Sequence, residues 1–291
     1  MYDIIINPTA GGKKKKKTAV ALDVVKAHLS NKNLPFTVHF TTKVGDAKEI
    51  TENVIKNGAT DIIVIGGDGT LHEVINGFSN FDKVNLGIIP SGTGNDFASA
   101  LGLPENPEKA IKIITERQPK YADFMQMPTV RGLNVIGMGI DVDVLKRYSK
   151  LNKKTKLGYT MSLVKTLFNF DFVDFDVEIN DKKLSERSFI ACIANGNRYG
   201  GGIPICPVAN PTDNKLDFLT VSEIKGLKII PAFLKLKAGK ILGLKQSKHQ
   251  TMQKVTVIPN GDYTVNVDGE LYENIPFSVE IVSNTLKVYY R

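Results

Sequence analysis

Three short segments concentrate the residue types that handle phosphate. NPTAGG (7–12), GGDGT (66–70) and SGTGND (91–96) are built almost wholly from Gly, Ser, Thr, Asn and Asp. Glycines let backbone N–H groups come close to an anion, and a helix starting behind such a loop adds partial positive charge. One such loop is equally well an ordinary turn; three at one sheet edge point to a nucleotide. Asp68 stands between Gly67 and Gly69, an odd neighbour for phosphate unless it holds Mg2+ or takes a proton from an attacking hydroxyl. This is not a P-loop: Lys17 and Thr18 follow Lys16 where glycine is required. Nor is it a dinucleotide fingerprint, because His72 occupies the third glycine position.

The elements that must position these loops are legible from pattern. Apolar runs at 2–6, 61–65 and 85–90 and the alternating 36–42 read as strands. Helical spacing covers 18–31, 46–58, 71–78, about 95–101 and 107–117. Strands alternating with helices predict a parallel sheet covered on both faces, with ligands at the carboxyl ends of its strands. The second half differs. Segments 172–180, 188–195, 215–221, 254–260, 263–270, 277–282 and 286–290 alternate with period two, which predicts an antiparallel sheet or sandwich. The expected organisation is an N-terminal α/β domain over 1–122 and a β-rich domain over 123–291. Whether the last strand returns to the first domain is not decided by pattern.

The chain has 291 residues, a net charge of +8 and two cysteines, Cys192 and Cys206. No apolar run is long enough to span a bilayer, and the N-terminus lacks signal-peptide features. Two cysteines make no disulfide framework, and His28, His39, His72 and His249 show no metal-ligand spacing, so a cytoplasmic chain with reduced thiols is expected. The positive charge suits an anionic partner or simply solubility. It gathers in two places: the lysines at 13–17, and residues 224–261, which hold eight lysines and no acidic residue. The lysine run has no aromatic or fold motif for nucleic acid beside it and reads as a solvated loop near phosphates. The segment 223–250 mixes apolar residues with Lys225, Lys228, Lys235, Lys237, Lys240, Lys245 and Lys248. It reads either as a basic amphipathic element lying on a membrane surface or as a packed helix with its lysines in water.

GGDGTLHEVINGF followed by SGTGNDFASAL resembles the diacylglycerol kinase and sphingosine kinase catalytic domain family, above all the soluble bacterial diacylglycerol kinases. NPTAGG, YADF (121–124), NGNRYGGGIPICPVANPTDNKLDFLTV (195–221) and VNVDGE (265–270) extend the similarity over most of the chain. The resemblance implies an N-terminal nucleotide-binding α/β domain and a C-terminal β-sandwich-like domain, with the active site in the cleft between them. It implies transfer of the ATP γ-phosphoryl group to a lipid hydroxyl with Mg2+, by a peripheral enzyme at the inner membrane surface. By the same resemblance Thr41, Gly66, Gly67, Asp68, Gly69, Thr70, Leu71, His72, Gly92, Thr93 and Asn95 bind ATP, and Asn7 supports the phosphate loop. Asp68, Asp96 and Asp123 organise water and catalytic Mg2+. Asp268 and Glu270 face them, Glu270 as proton acceptor. Asn210, Asp213 and the carbonyl of Lys215 match a second Mg2+ site, although Asn214 stands where glycine is common.

The chemistry of the residues agrees with this. A lipid hydroxyl needs a base or a metal in contact, and a transferring phosphoryl group needs positioning and positive charge. Structural alternatives stay open: Asp96 as a helix cap, Asp268 and Gly269 as a hairpin turn, Asp123 as a surface residue. Two other functions remain. A kinase for a soluble acceptor such as NAD shares GGDGT, but NAD kinases typically continue into L-G-F-L where this chain has IIPSGTGNDFA. A non-catalytic nucleotide-binding module would not need the matched carboxylates. The sequence names neither the lipid nor the oligomeric state, and a homodimer is compatible with it.

Overall fold

The structure is a computed structural model that describes residues 1–10, 15–151, 156–167, 170, 172–179, 182–224 and 226–291. Lys13, Lys14 and Lys225 lie outside the described residues. The chain divides into two units: Met1–Asp123 with Ser283–Arg291, and Phe124–Val282.

The first unit contains β1 (Tyr2–Ile6), α1 (Lys15–Asn31), β2 (Phe36–Phe40), α2 (Asp46–Lys56), β3 (Asp61–Gly66), α3 (Asp68–Gly77), β4 (Asn85–Pro90), α4 (Asp96–Ala100) and α5 (Pro107–Glu116). β5 (Lys120–Gln126) starts in it. β1, β3 and β4 are nearly continuous Ile, Val and Leu because helices cover both faces, and Ile4, Ile5, Ile63, Val64 and Ile88 are buried. The strands run parallel in the order β2-β1-β3-β4, with Ile5 opposite both His39 and Val64. Right-handed crossovers place α1 on one face and α2 and α3 on the other. The packing of α1 on α5 and of α2 on α3 fits this arrangement. The chain therefore reverses direction between β1 and β3, a switch point where open α/β sheets bind ligands.

Two expectations need correction in this unit. GGDGT is not a loop throughout: Gly67 is extended, and Asp68, Gly69 and Thr70 form the first turn of α3. An acidic residue in a first turn suits the helix dipole, so the helix begins three residues before the apolar pattern does. The lysine run is not all loop either. α1 already starts at Lys15, and Lys17 reaches Glu105 at 3.1 Å.

The second unit adds β6 (Arg131–Gly132), β7 (Val135–Gly139), α6 (Ile140–Ser149), α7 (Lys156–Leu167), β8 (Val173–Ile179), β9 (Lys182–Ala194) and β10 (Leu216–Ser222). α8 (Ile229–Lys237), β11 (Ser247–Met252), β12 (Lys254–Pro259), β13 (Thr264–Val267), β14 (Glu270–Glu273) and β15 (Ser278–Val288) follow. Its pairings are antiparallel, and β9 is the hub, joined to β7, β8 and β10. Alternation along β9 and β10 feeds two separate apolar layers. Ala191, Ile193, Leu216 and Phe218 enter one; Cys192, Ala194, Leu219 and Val221 enter the other.

The expected strands at 277–282 and 286–290 are one strand, β15. The polar Ser283, Asn284 and Thr285 read like a turn, but Asn284 absorbs the irregularity with φ 55 and the strand runs on. Its end, Lys287 and Val288, pairs parallel with β4 in the first unit. The basic segment 223–250 is not one amphipathic helix. α8 stops at Lys237, Gly239 takes φ 68, and the chain then turns into β11, paired with β10.

Candidate active site

The loops after β1, β3 and β4 are tied together by side chains and by close backbone contact. Asn7 donates from Nδ2 to Thr70 Oγ1 at 3.4 Å, which joins the first loop to the start of α3 across the switch point. Its own Oδ1 accepts Thr9 N at 3.0 Å and Thr9 Oγ1 at 2.8 Å. Gly67 and Gly92 touch backbone to backbone. A Cβ on Gly92 would lie 2.5 Å from Gly67 Cα, and one on Gly67 2.9 Å from Gly92 Cα. Only glycine fits at both positions. Asn95 closes the third loop: its Oδ1 accepts Gly92 N at 2.8 Å and its Nδ2 donates to Gly92 O at 3.2 Å. It sits at φ 57 and ψ 42, a left-handed conformation that Asn accepts more readily than most residues.

Two aspartates meet at this point. Asp68 Oδ1 accepts Asp96 N at 2.8 Å and Phe97 N at 3.3 Å, the first two amides of α4. Asp68 and Asp96 each occupy the first turn of their own helix. Asp96 is thus not its helix's own cap; Asp68 fills that role from a neighbouring element. The contact of Gly67 with Gly92 packs the second and third loops against each other, and glycine-rich loops at helix starts suit a phosphate chain. Carboxylate oxygens are the donor type Mg2+ takes.

The other predicted nucleotide residues divide by burial. Thr41 and Thr70 are buried polar residues, and Thr41 N donates to Ile6 O at 2.9 Å. Gly66 is close to Thr70, whose Cβ would lie 2.7 Å from an added Cβ. Gly69 and Thr93 are exposed. Leu71 and His72 face inward, and Leu71 N donates to Gly67 O at 3.0 Å, so these two hold the helical turn. Asp123 is buried on β5. Burial first, and the Asp123 charge second, raise the Tyr290 hydroxyl above its ordinary pKa.

In the second unit Asp268 and Gly269 form a two-residue hairpin turn between β13 and β14, with φ 54 and 103. The turn reading left open in the sequence therefore holds, and it does not stand alone. The Asp268 carboxylate accepts three backbone N–H groups, from Leu133 at 2.6 Å, Asn134 at 2.8 Å and Val135 at 3.0 Å. Glu270, the next residue after the turn, is exposed at the start of β14. Asp268 is thus spent on fixing the turn, and Glu270 is the carboxylate presented to solvent.

A buried group behind this turn escaped the sequence reading. Asn266 Oδ1 accepts Gly269 N at 2.8 Å, and its Nδ2 donates to Asp141 Oδ2 at 2.8 Å. Burial pushes the Asp141 carboxyl up to about 6, against the lowering effect of Asn266. Asn134 and Asn195 complete the support: Asn195 Nδ2 donates to Leu133 O at 2.7 Å, and Asn134 Nδ2 donates to Arg198 O. Asn195 and Asn266 lie in segments that carried the resemblance, but only the fold shows what they bond.

Asn210, Asp213 and Lys215 share one turn of the chain. Asp213 Oδ1 accepts Lys215 N at 3.2 Å, and Asn210 Oδ1 accepts Thr212 Oγ1 at 2.9 Å. Asn214 takes φ 60, so it performs the glycine-like turn that its position demands. The donor set is all oxygen, which suits Mg2+.

Residues 2–127 match the family described as diacylglycerol kinase catalytic domain. Residues 134–290 match the YegS C-terminal NAD kinase beta sandwich-like domain. Two Staphylococcus aureus proteins, from strains Mu3 and Newman and each named "Putative lipid kinase", are 27% identical over 281 residues, covering 94% of this chain and 90% of theirs. A solved structure described as "A putative diacylglycerol kinase from Bacillus anthracis str. Sterne" superposes with a TM-score of 0.79 at 25% identity, covering 100% of this chain and 97% of that one. A second Bacillus anthracis structure, described as a diacylglycerol kinase, gives 0.70 at 22% identity over 100% of this chain and 96% of that one.

Proposed function

We propose, because this chain belongs to the diacylglycerol kinase catalytic domain family and carries the YegS C-terminal NAD kinase beta sandwich-like domain behind it, that it transfers the γ-phosphoryl group of ATP to a lipid hydroxyl. The acceptor we propose is diacylglycerol, giving phosphatidic acid. The observation that carries this reading is the junction of the three glycine-rich loops, where Gly67 meets Gly92, Asp68 accepts the Asp96 N–H, and Asn7 donates to Thr70 at the switch point of the sheet.

In this reading Asn7, Gly67, Gly92, Thr93 and Asn95 shape the phosphate site, with Thr41 at its side. Asp68, Asp96 and Asp123 hold Mg2+, which when bound offsets the negative charge of the phosphates. Glu270 takes the proton of the lipid hydroxyl as that oxygen attacks the γ-phosphorus and ADP leaves. Asp268 positions Glu270 through its three backbone contacts. Asn210, Asp213 and Lys215 hold a second Mg2+.

Two features of the second unit support an apolar acceptor. A pocket of about 60 Å³ lies beneath α8, lined by Phe189, Ile205, Phe233, Leu236 and Leu244 among others. On α8, Ile230 is 47% exposed and Leu234 60%, beside exposed Lys235 and Lys237. We read this helix as the membrane-contacting surface. No helix among the described residues is long and apolar enough to cross a membrane.

The test is transfer of labelled γ-phosphate from ATP to a panel of lipids in mixed micelles, with NAD as a soluble arm. Transfer to diacylglycerol is expected. Transfer to another lipid alcohol alone would replace the acceptor, and transfer to NAD alone would overturn the lipid reading.

A further inference from the structure

β10 carries a carboxylate into an apolar layer. Leu219 and Val221 face the layer that holds Cys192 and Ala194, and Asp217, two residues before Leu219, shares their face. It is 3% exposed. A lone charge in such a place would cost several kcal/mol, so what surrounds it matters. His249 comes from β11, where it pairs opposite Leu219, and its Nε2 lies 2.6 Å from Asp217 Oδ1. Cys206, wholly buried, comes from the segment between β9 and β10. The three ligand atoms all lie within 4.8 Å of one another. The spacing of these residues along the chain gave no sign of this; strand pairing creates it.

A cysteine, a histidine and an aspartate together could be a nucleophilic group or a metal site. The nucleophile reading fails on access, because Cys206 has no exposed surface. A divalent cation suits the set: one thiolate and one carboxylate neutralise its two charges, and the imidazole binds neutral. Sulfur and nitrogen beside one oxygen select zinc over magnesium or calcium, which take oxygen ligands.

We propose that Cys206, Asp217 and His249 form a Zn2+ site in the second unit, which the kinase reading does not use. Zinc bonds of about 2.0–2.3 Å place tetrahedral donors roughly 3.3–3.7 Å apart, which the cluster reaches by small side-chain shifts. Binding displaces the Cys206 thiol proton to solvent as the Zn–S bond forms. Three protein donors leave the fourth position to water. The His249 residue is exposed on its strand, which gives the ion a way in. The site fastens β11 and the Cys206 segment to β10.

The full chain, stripped with a chelator and dialysed, is titrated with Co2+ and then with Zn2+. One equivalent of Co2+ is expected to give a thiolate charge-transfer band in the near ultraviolet, and Zn2+ is expected to abolish it. Zn2+ should raise the melting temperature of the wild type by mass action. Cys206→Ser should show no band. His249→Ala, altered at an exposed strand position, should bind Zn2+ at least about tenfold more weakly, the lower end of what loss of a metal's supporting groups costs. Mg2+ should give neither band nor competition. A wild type with no band and no Zn2+-induced shift overturns the proposal. So does a His249→Ala protein that binds Zn2+ as tightly as wild type, which decides the matter even if Cys206→Ser does not fold.

Discussion

Asp68 Oδ1 accepts the backbone N–H of Asp96 at 2.8 Å, so the carboxylate that follows β3 closes the helix that follows β4. Two roles then fall on one side chain, and substitution separates them. Asp68→Ala loses two hydrogen bonds at a helix N-terminus and should cost about 1–2 kcal/mol of stability. Asp68→Asn keeps an acceptor oxygen and should unfold close to the wild type. Turnover of Asp68→Asn should still fall at least about 10²-fold, as for loss of an acid–base or metal-positioning group. Thermal melts and ATP turnover on both variants check this. If Asp68→Asn stays within a few-fold of wild-type activity, Asp68 is a structural cap only.

Asp141 makes stability depend on pH. Burial raises its carboxyl to about 6, Asp143 on the same helix pushes the same way, and Asn266 opposes. From β9, the buried Cys192 thiol lies close enough to feel the Asp141 charge. An unfolded aspartate titrates near about 3.9. Between about pH 4 and pH 6 the folded chain therefore binds a proton that the unfolded chain has released. Stability falls as pH rises through that window and stays lower above it. The shift of about two units corresponds to about 3 kcal/mol at neutral pH. Asp141→Asn cannot titrate, so its stability relative to wild type should rise by up to that amount between pH 4.5 and pH 7.5. Denaturant unfolding at both pH values tests it, and parallel curves would show that Asp141 is not raised.

The parallel half of the fold was legible because β1, β3 and β4 are apolar on both faces and α2 and α5 have clear amphipathic spacing. The helices of the second unit were not. In α6 the opening Ile140-Asp141-Val142-Asp143-Val144 alternates like a strand. The structure makes it a helix because Gly139, at φ 115, turns the chain and Ile140 and Val144 then pack into one apolar layer. Local pattern cannot report such a choice. The site divides in the same way. Glycine and carboxylate spacing marked the three loops at the sheet edge, but Asn266 meets Asp141 across 125 positions of chain. His249 meets Asp217 only because β11 pairs with β10. Asp268 was visible as a residue type, while its three amide partners depend on β13 lying beside β7.

Asp213 offers a test of the second Mg2+ site that does not depend on turnover. Its carboxylate also accepts Lys215 N at 3.2 Å, so Asp213→Ala loses a turn contact whether or not metal binds. The discriminating quantity is the response to Mg2+. A metal bound only by the folded state stabilises by mass action, about 2.7 kcal/mol at a hundredfold excess over Kd. Added Mg2+ should therefore raise the melting temperature of wild type more than that of Asp213→Ala. Equal increments in the two proteins would remove Mg2+ from this turn.

The lysines around α8 test the proposed contact with a lipid surface. Lys235, Lys237, Lys240 and Lys248 are exposed; Lys248 pairs with Glu186 at 2.7 Å, and Lys235 Nζ donates to Gly243 O at 3.2 Å. Ile230 and Leu234, one helical turn apart, stand exposed on a common face of the same helix. Each lysine near an anionic leaflet is worth about 1 kcal/mol, so replacing Lys235, Lys237 and Lys240 with Gln should weaken vesicle binding by about 3 kcal/mol at most. That corresponds to roughly two decades in affinity on phosphatidylserine-containing vesicles. Activity on those vesicles should fall with it, while activity on a short-chain, water-soluble acceptor should persist, since none of the three lysines belongs to the proposed phosphate site. Wild-type activity on vesicles should also drop steeply with added salt, because screening shortens the reach of the charges. Equal sedimentation of wild type and triple variant with vesicles at low salt would move the interface away from α8. Lysines 13–17 would then be the next group to replace.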